Sequence, residues 1–265
     1  MNFLQNKTII VTGASSGIGF ELSKLLIEKF SCKVIAIARN KDKLSECKKE
    51  LGNDYIPVSM DVSKEEEWVK LGNLINTGVY KPNVLINNAG IMLPFIKAEN
   101  YDKNDFDKIL KTDLFSVIYS VLYVVPYLYG EKGLVNVSSS SSLCPVIGQS
   151  GYCTAKSAVK SFTEVLQTEA DYYVGLIMPG FCKTNIMRSI EISDKEKKLV
   201  DAFSSDSRKC ALKILKAVNK KRRRKVIGID AKLMNFLYKL SPKNAGRIIA
   251  KALKKSRLHL FDDIQ

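Results

Sequence analysis

Short apolar runs recur along the chain, each bounded by glycine or polar turn residues. Most are followed by a longer stretch whose apolar positions fall three and four apart. The runs 8–13 (TIIVTG), 33–38 (KVIAIA), 55–62 (YIPVSMDV), 83–90 (NVLINNAG), 133–139 (GLVNVSS), 175–180 (GLIMPG) and 225–230 (KVIGID) read as buried strands, some running on into a turn. Between them, 20–30, 40–51, 64–75, 104–125, 154–170 and 207–220 carry helical spacing, with Leu22, Leu25 and Leu26 on one face of the first. Strands alternating with helices predict a parallel sheet covered on both faces, because parallel strands need crossover connections. No internal repeat and no Pro/Gly/Ser linker divides the chain. Beyond Asp230 the alternation stops, and 232–240 and 245–256, joined by Ser241-Pro242, read as two short basic amphipathic helices. The expected organisation is one α/β domain over 1–230 with a helical extension over 231–265, not an independent domain.

Composition changes this picture in one respect. The 265 residues are 46% hydrophobic and 26% charged, which is ordinary for a globular chain, but the formal net charge is +15. Lysines outnumber arginines 34 to eight. A solvated lysine surface explains such an excess, and so does attraction to a phosphorylated cofactor, an acidic substrate or an anionic membrane. Six cysteines without a C-x-x-C pair signal neither a disulfide scaffold nor a zinc site. The single histidine, His259, rules out His-based metal sites and Ser-His-Asp triads, so no metal is expected. The N-terminus shows no secretory pattern, and the apolar run Leu114–Tyr129 is short and contains Pro126. It is expected to be a buried helix, and the compartment a reducing cytoplasm.

The first strand leads into T-G-A-S-S-G-I-G, residues 12–19. Gly13, Gly17 and Gly19 let the backbone turn sharply and approach a pyrophosphate, which would rest at the following helix N-terminus beside Ser15 and Ser16. An acidic residue at the end of the second strand would hold an NAD ribose; here that strand ends in Ala38-Arg39-Asn40. Alanine cannot hold a diol, whereas arginine's planar fork suits a 2′-phosphate, so NADP(H) is expected in preference to NAD(H).

Further along stand Asp61-Val62, the N-N-A-G of 87–90, Tyr152-x-x-x-Lys156, and Pro179-Gly180 with Thr184. With the glycine turn these occur in an order that resembles the single-domain short-chain dehydrogenase/reductase family over roughly residues 5–230. The resemblance implies a Rossmann-type doubly wound parallel sheet and an NAD(P)-dependent enzyme acting on CH–OH groups. It implies that Asp61 and Val62 hold the adenine, that Ile18, Asn88, Ala89 and Gly90 line the cofactor cleft, and that Pro179, Gly180, Cys182 and Thr184 border the nicotinamide. Tyr152 would be the acid/base and Lys156 its helper, which also reaches the nicotinamide ribose. The chemistry agrees, since residues four apart share a helix face and an ammonium lowers a neighbouring phenol's pKa.

The run Ser138–Ser142 poses a choice of hydroxyl. In the resembled family the carbonyl-fixing serine stands thirteen residues before the tyrosine, which is Ser139 here. The family's asparagine on the preceding long helix is replaced by Asp113, expected to hold a water toward Lys156 and to raise the pH optimum. Leu93–Phe95, 143–147 and the polar segment after Thr184, either a surface loop or a lid, would form an apolar pocket. A lipophilic ketone or secondary alcohol, such as a hydroxysteroid or a long-chain keto compound, suits it. A 3-oxoacyl thioester on an acidic carrier and a non-catalytic NADPH-binding role are the alternatives. A homo-oligomer, dimer or tetramer, is expected. The basic helices of 231–265 either touch a membrane peripherally or pack over the pocket or between subunits. The run Lys221–Lys225 lacks an aromatic platform, so no nucleic-acid partner is expected.

Overall fold

The computed structural model describes residues 2–182, 205–255 and 264. Its strands are β1 (Thr8–Thr12), β2 (Lys33–Ala38), β3 (Tyr55–Ser59), β4 (Val84–Asn87), β5 (Gly133–Val137), β6 (Tyr173–Pro179) and β7 (Arg224–Ile227). All pair in parallel in the order β3-β2-β1-β4-β5-β6-β7. The order reverses between β1 and β4, and the crevice beyond their carboxyl ends is where such sheets bind ligands.

Continuous apolar strands result from coverage of both faces. Ile9 and Val11 of β1, with Val34, Ala36, Val84 and Ile86, pack under helices α1 (Gly17–Phe30) and α2 (Lys41–Leu51). The helix Ser207–Asn219, α7, joins this layer through Cys210, Ile214 and Leu215. Ile10, Ile35, Ile37, Leu85 and Leu134 point the other way. They meet Trp68, Leu71 and Ile75 of α3 (Glu65–Asn76) and Leu166 of α6 (Ser150–Glu169). Trp68, fully buried, donates its indole N–H to the Val62 carbonyl at 2.8 Å, which ties α3 to the turn after β3.

Three elements differ from their sequence reading. The helix expected over 104–125 is α4 (Lys103–Leu110), a π turn (Lys111–Phe115) and α5 (Ser116–Tyr123), ending before a 3-10 turn at Pro126. Its apolar run is only half buried, because Phe115, Leu122, Tyr127 and Tyr129 face solvent. Helix α6 begins four residues earlier than its periodicity suggests, so Tyr152 lies in its first turn. The strand read as 225–230 stops at Ile227; Gly228, at φ +108°, turns the chain into α8 (Ile229–Leu240). Helix α9 (Pro242–Lys255) follows. The inner sides of α8 and α9 pack on Phe95, Cys144 and Val146 through Met234 and Ala245. Among the described residues no helix is long and apolar enough to cross a membrane.

Candidate active site

At the switch point, a cleft of about 490 Å3 runs from the β1–α1 turn to the end of β2. Gly13 (φ +68°) and Gly17 (φ +54°) adopt the left-handed backbone that glycine permits. At Gly19 the reason is space, since a Cβ would stand 2.1 Å from the Gly13 carbonyl oxygen. Ser16 is the N-cap of α1 yet makes no side-chain cap bond, so first-turn N–H groups of α1 remain available to an anion. A glycine-lined cradle facing free helix N–H groups fits a dinucleotide pyrophosphate.

Ser15, Ser16, Ile18, Arg39, Asn40, Val62, Asn88, Ala89 and Gly90 border this cleft. Arg39 is exposed at its far end. Two of the residues expected to hold the cofactor also make local bonds through one oxygen each. Asn40 accepts the Lys43 N–H at 2.8 Å, capping α2, and Asp61 accepts from the Ser63 N–H at 3.0 Å and hydroxyl at 2.7 Å. Lys43, not singled out by the sequence, joins Arg39 at the cleft wall.

The NNAG turn is fixed from below. The buried Thr12 hydroxyl accepts the N–H groups of Asn88 and Ala89, each at 2.9 Å, and the Asn88 amide donates back to the Thr12 carbonyl at 2.9 Å. Asn87 spans to Ser120 (2.7 Å) and Asn136 (2.9 Å), and Asn136 to Thr163 (2.9 Å). This buried polar relay joins β4, β5, α5 and α6, with its donors paired as buried polar groups require.

A second cavity, about 110 Å3, shares Ile18, Asn88, Gly90 and Met92 with the first and brings together Ser139, Tyr152 and Lys156. Pro179, Gly180 and Cys182 complete its rim; Thr184, the segment after it to residue 204, and His259 lie outside the described residues. Its remaining wall is mostly apolar, with Met92, Phe95, Val146 and Phe181. Gln149 and Ser141 add polar atoms. Gln149 donates to the Leu93 carbonyl at 2.9 Å, while its Oε1 and the Ser141 Oγ are buried without a hydrogen-bond partner among the described residues.

The serine run divides its tasks. Ser138 donates to the Lys156 carbonyl at 2.8 Å, clamping α6 onto the end of β5. Ser139 Oγ accepts the Ser141 N–H at 3.2 Å and faces Tyr152. Ser142 bonds the Ser139 carbonyl at 2.6 Å, closing the short turn.

Beneath Tyr152 lies a fully enclosed ion pair. Lys156 Nζ is 3.0 Å from Asp113 Oδ2, with the side chains 4% and 0% exposed. Asp113 Oδ1 accepts the Ile91 N–H at 2.8 Å. The carboxylate thus reaches the ammonium directly. Gly90 makes room for it, since a Cβ there would be 2.9 Å from Asp113 Oδ2 and 3.0 Å from Lys156 Nζ. The π turn carries Asp113, a local distortion of the kind that marks functional positions.

Burial pushes the Asp113 carboxyl above its ordinary range, against the pull of Lys156 and the Ile91 N–H. Burial pulls the Lys156 ammonium down, but Asp113 and Tyr152 outweigh it and the net direction is up. For Tyr152 the sequence expectation needs correction. Lys156 does pull the phenol down, and Ser139 assists, but burial is the larger effect and Asp113 adds to it, so the phenol stands above its usual value.

One further residue escaped the sequence. Asp230, read there as strand, accepts the Phe181 N–H at 2.7 Å and lies against Gly180 and Gly228, where any Cβ would collide with its carboxylate. It fastens the Pro179-Gly180 turn to the start of α8.

The profile of the short chain dehydrogenase family matches residues 7–195. Rat retinol dehydrogenase 7 is 31% identical over 216 residues, which is 78% of this chain and 66% of that enzyme. The 11-beta-hydroxysteroid dehydrogenase A of Sesamum indicum is 32% identical over 186 residues, 68% of this chain and 53% of that protein. The chain therefore spans about two thirds or less of these two relatives. A Burkholderia phymatum short chain dehydrogenase/reductase, solved with NAD, superposes with a TM-score of 0.82 at 19% identity, over 92% of this chain and 96% of that one. With the matched profile, the seven-stranded parallel sheet and the glycine-lined cleft, the chain belongs to the short-chain dehydrogenase family.

Proposed function

We propose that the protein interconverts a lipophilic ketone and its secondary alcohol with NADP(H), using Ser139, Tyr152 and Lys156. The observation that carries this reading is their convergence on one cavity that opens beside the dinucleotide cleft. When bound, the cofactor supplies or accepts hydride at the carbonyl carbon. Ser139 donates a hydrogen bond to the carbonyl oxygen and fixes its position. Tyr152 gives its proton to that oxygen in reduction and takes it back in oxidation. Lys156 holds positive charge under the phenol, and Asp113 positions Lys156. Gly13 to Gly19, Asn88 to Gly90, and the Pro179-Gly180 rim orient the dinucleotide and exclude water.

Two observations support the finer reading. Met92, Phe95, Val146 and Phe181 make the substrate wall largely apolar, and the rat and sesame relatives are named for retinol and a hydroxysteroid. Arg39 and Lys43 put two cations at the adenosine end of the cleft, where a 2′-phosphate would lie. Self-association is proposed through α5 and α6, where Phe115, Leu122 and Val165 are exposed. The free thiols suit a reducing compartment.

The test is a screen of hydroxysteroids, long-chain ketones and 3-oxoacyl thioesters, with NADPH and NADH in parallel. Turnover of a lipophilic ketone with NADPH, and an Arg39→Ala variant that loses roughly ten- to a hundredfold in NADPH affinity but little with NADH, are expected. Preference for NADH by the unaltered protein would contradict the cofactor assignment.

A further inference from the structure

Helix α8 has two apolar faces. Ala231 (0% exposed) and Met234 (7%) face inward, while Ile229 (87%), Leu233 (55%), Phe236 (61%) and Leu240 (72%) face solvent. The outer four stand at i, i+4, i+7 and i+11, so they form one narrow stripe along the helix. Packing within the chain explains the inner face and leaves the outer one without a partner among the described residues.

The stripe begins at the wall of a cationic concavity. Between α7, β7 and the start of α8 lies a cavity of about 390 Å3 lined by Lys213, Lys216, Lys220, Arg222, Lys225 and Lys232, with Ile229 at its edge. No lining residue is acidic, and none of the six cations pairs with a described carboxylate. Lys221 and Arg224 of the same turn are paired, with Glu131 and Glu164, and Asp230 is held by the Phe181 N–H. Cations of one sign with no carboxylate partner among the described residues thus gather beside an exposed apolar stripe.

We propose that this face docks on an anionic membrane. The stripe enters the headgroup–acyl boundary, and the cavity cations meet lipid phosphates and carboxylates. The combination selects this occupant. A nucleic acid would use the cations and leave the stripe exposed. A second copy of this chain docked face to face would set like charges against each other. The inner residue Met234 packs in the same cluster as Tyr152, so a helix seated on the bilayer would also wall the substrate cavity. The docking does not depend on which substrate is turned over.

The experiment is co-sedimentation of the full chain with phosphatidylcholine vesicles, with and without phosphatidylserine, at low and high salt. Two variants accompany it: Leu233→Asn with Phe236→Asn, and Lys213→Glu with Lys216→Glu and Lys225→Glu. Circular dichroism and melting serve as controls that each remains folded. Binding to the anionic vesicles alone, weakened by salt and reduced about tenfold or more by each variant, is the expected result. Three results would overturn the proposal. The first is no binding to phosphatidylserine vesicles, and the second is binding that the stripe variant leaves intact. The third is an oligomer, an RNA complex or an acidic carrier-protein complex dispersed by these variants while vesicles are ignored. No turnover is measured, so failure here is distinct from failure of the oxidoreductase assignment.

Discussion

Lys156 and Lys232 carry the same ammonium in opposite settings. Lys156 is 4% exposed, 3.0 Å from Asp113, seated against Gly90 and one turn below Tyr152. Lys232 is exposed, and no carboxylate lines the cavity it shares with its basic neighbours around β7. A buried charge persists only with a partner of opposite sign, so the interior pair fixes one geometry. Surface cations need no internal partner, and what they gain comes from something outside the chain. The first arrangement bears on the proposed chemistry and the second on the proposed membrane docking.

Breaking the interior arrangement gives the largest effects. Lys156→Ala leaves Asp113 buried and unpaired, with an expected stability loss of about 3–5 kcal/mol and no measurable turnover. Denaturant unfolding checks the first and a steady-state assay the second. Removing the same charge from the surface, with Lys232→Ala, is expected to change stability by less than about 0.5 kcal/mol. Equal losses at the two sites would erase the distinction.

Next comes Ser139→Ala, which removes the hydroxyl proposed to hold the carbonyl oxygen. A fall in kcat of about 10²–10³ with unchanged folding is expected. Asp113→Asn tests the sign of the electrostatics. Asp113 raises the Tyr152 phenol, and removing its charge lowers it. Oxidation needs the phenolate, so its rising limb is expected to appear at lower pH in the variant. Reduction needs the phenol, so its decline is expected to begin at lower pH as well. A pH profile identical to the unaltered protein would show that Asp113 does not reach Tyr152. The smallest effect is assigned to Ser141→Ala. Ser141 Oγ lines the cavity without a partner, so kcat is expected within about twofold, with any change confined to KM.

Much of this architecture was legible from pattern. The apolar runs ending in Gly13, Asn87 and Ser138 lie between helices, and both faces of a parallel sheet demand that continuity. Tyr152 and Lys156 share a helix face by their spacing, whereas Ser139 was singled out from its neighbours only by the family resemblance; all three line one cavity. Features that depend on non-local approach were not legible. The π turn at Asp113 has the periodicity of ordinary helix, and its carboxylate meets Lys156 only because Gly90 yields space. Asp230 followed apolar residues that read as strand, and its bond to the Phe181 N–H joins positions 49 apart. The net rise of the Tyr152 phenol depends on burial, which spacing does not report. The segment of α8 read simply as a basic amphipathic helix, and only the burial of Ala231 and Met234 opposite exposed Leu233 and Phe236 shows that it has two apolar faces.

The central claim is that Tyr152 carries the proton in a nicotinamide-dependent reaction. It is tested most directly by single-turnover oxidation of NADPH with a lipophilic ketone, comparing the unaltered protein with Tyr152→Phe, with NADPH binding measured in both. The account predicts unchanged NADPH affinity and a hydride-transfer rate lower by at least about a hundredfold in the variant. A Tyr152→Phe protein that binds NADPH and reduces the ketone at the unaltered rate would contradict it.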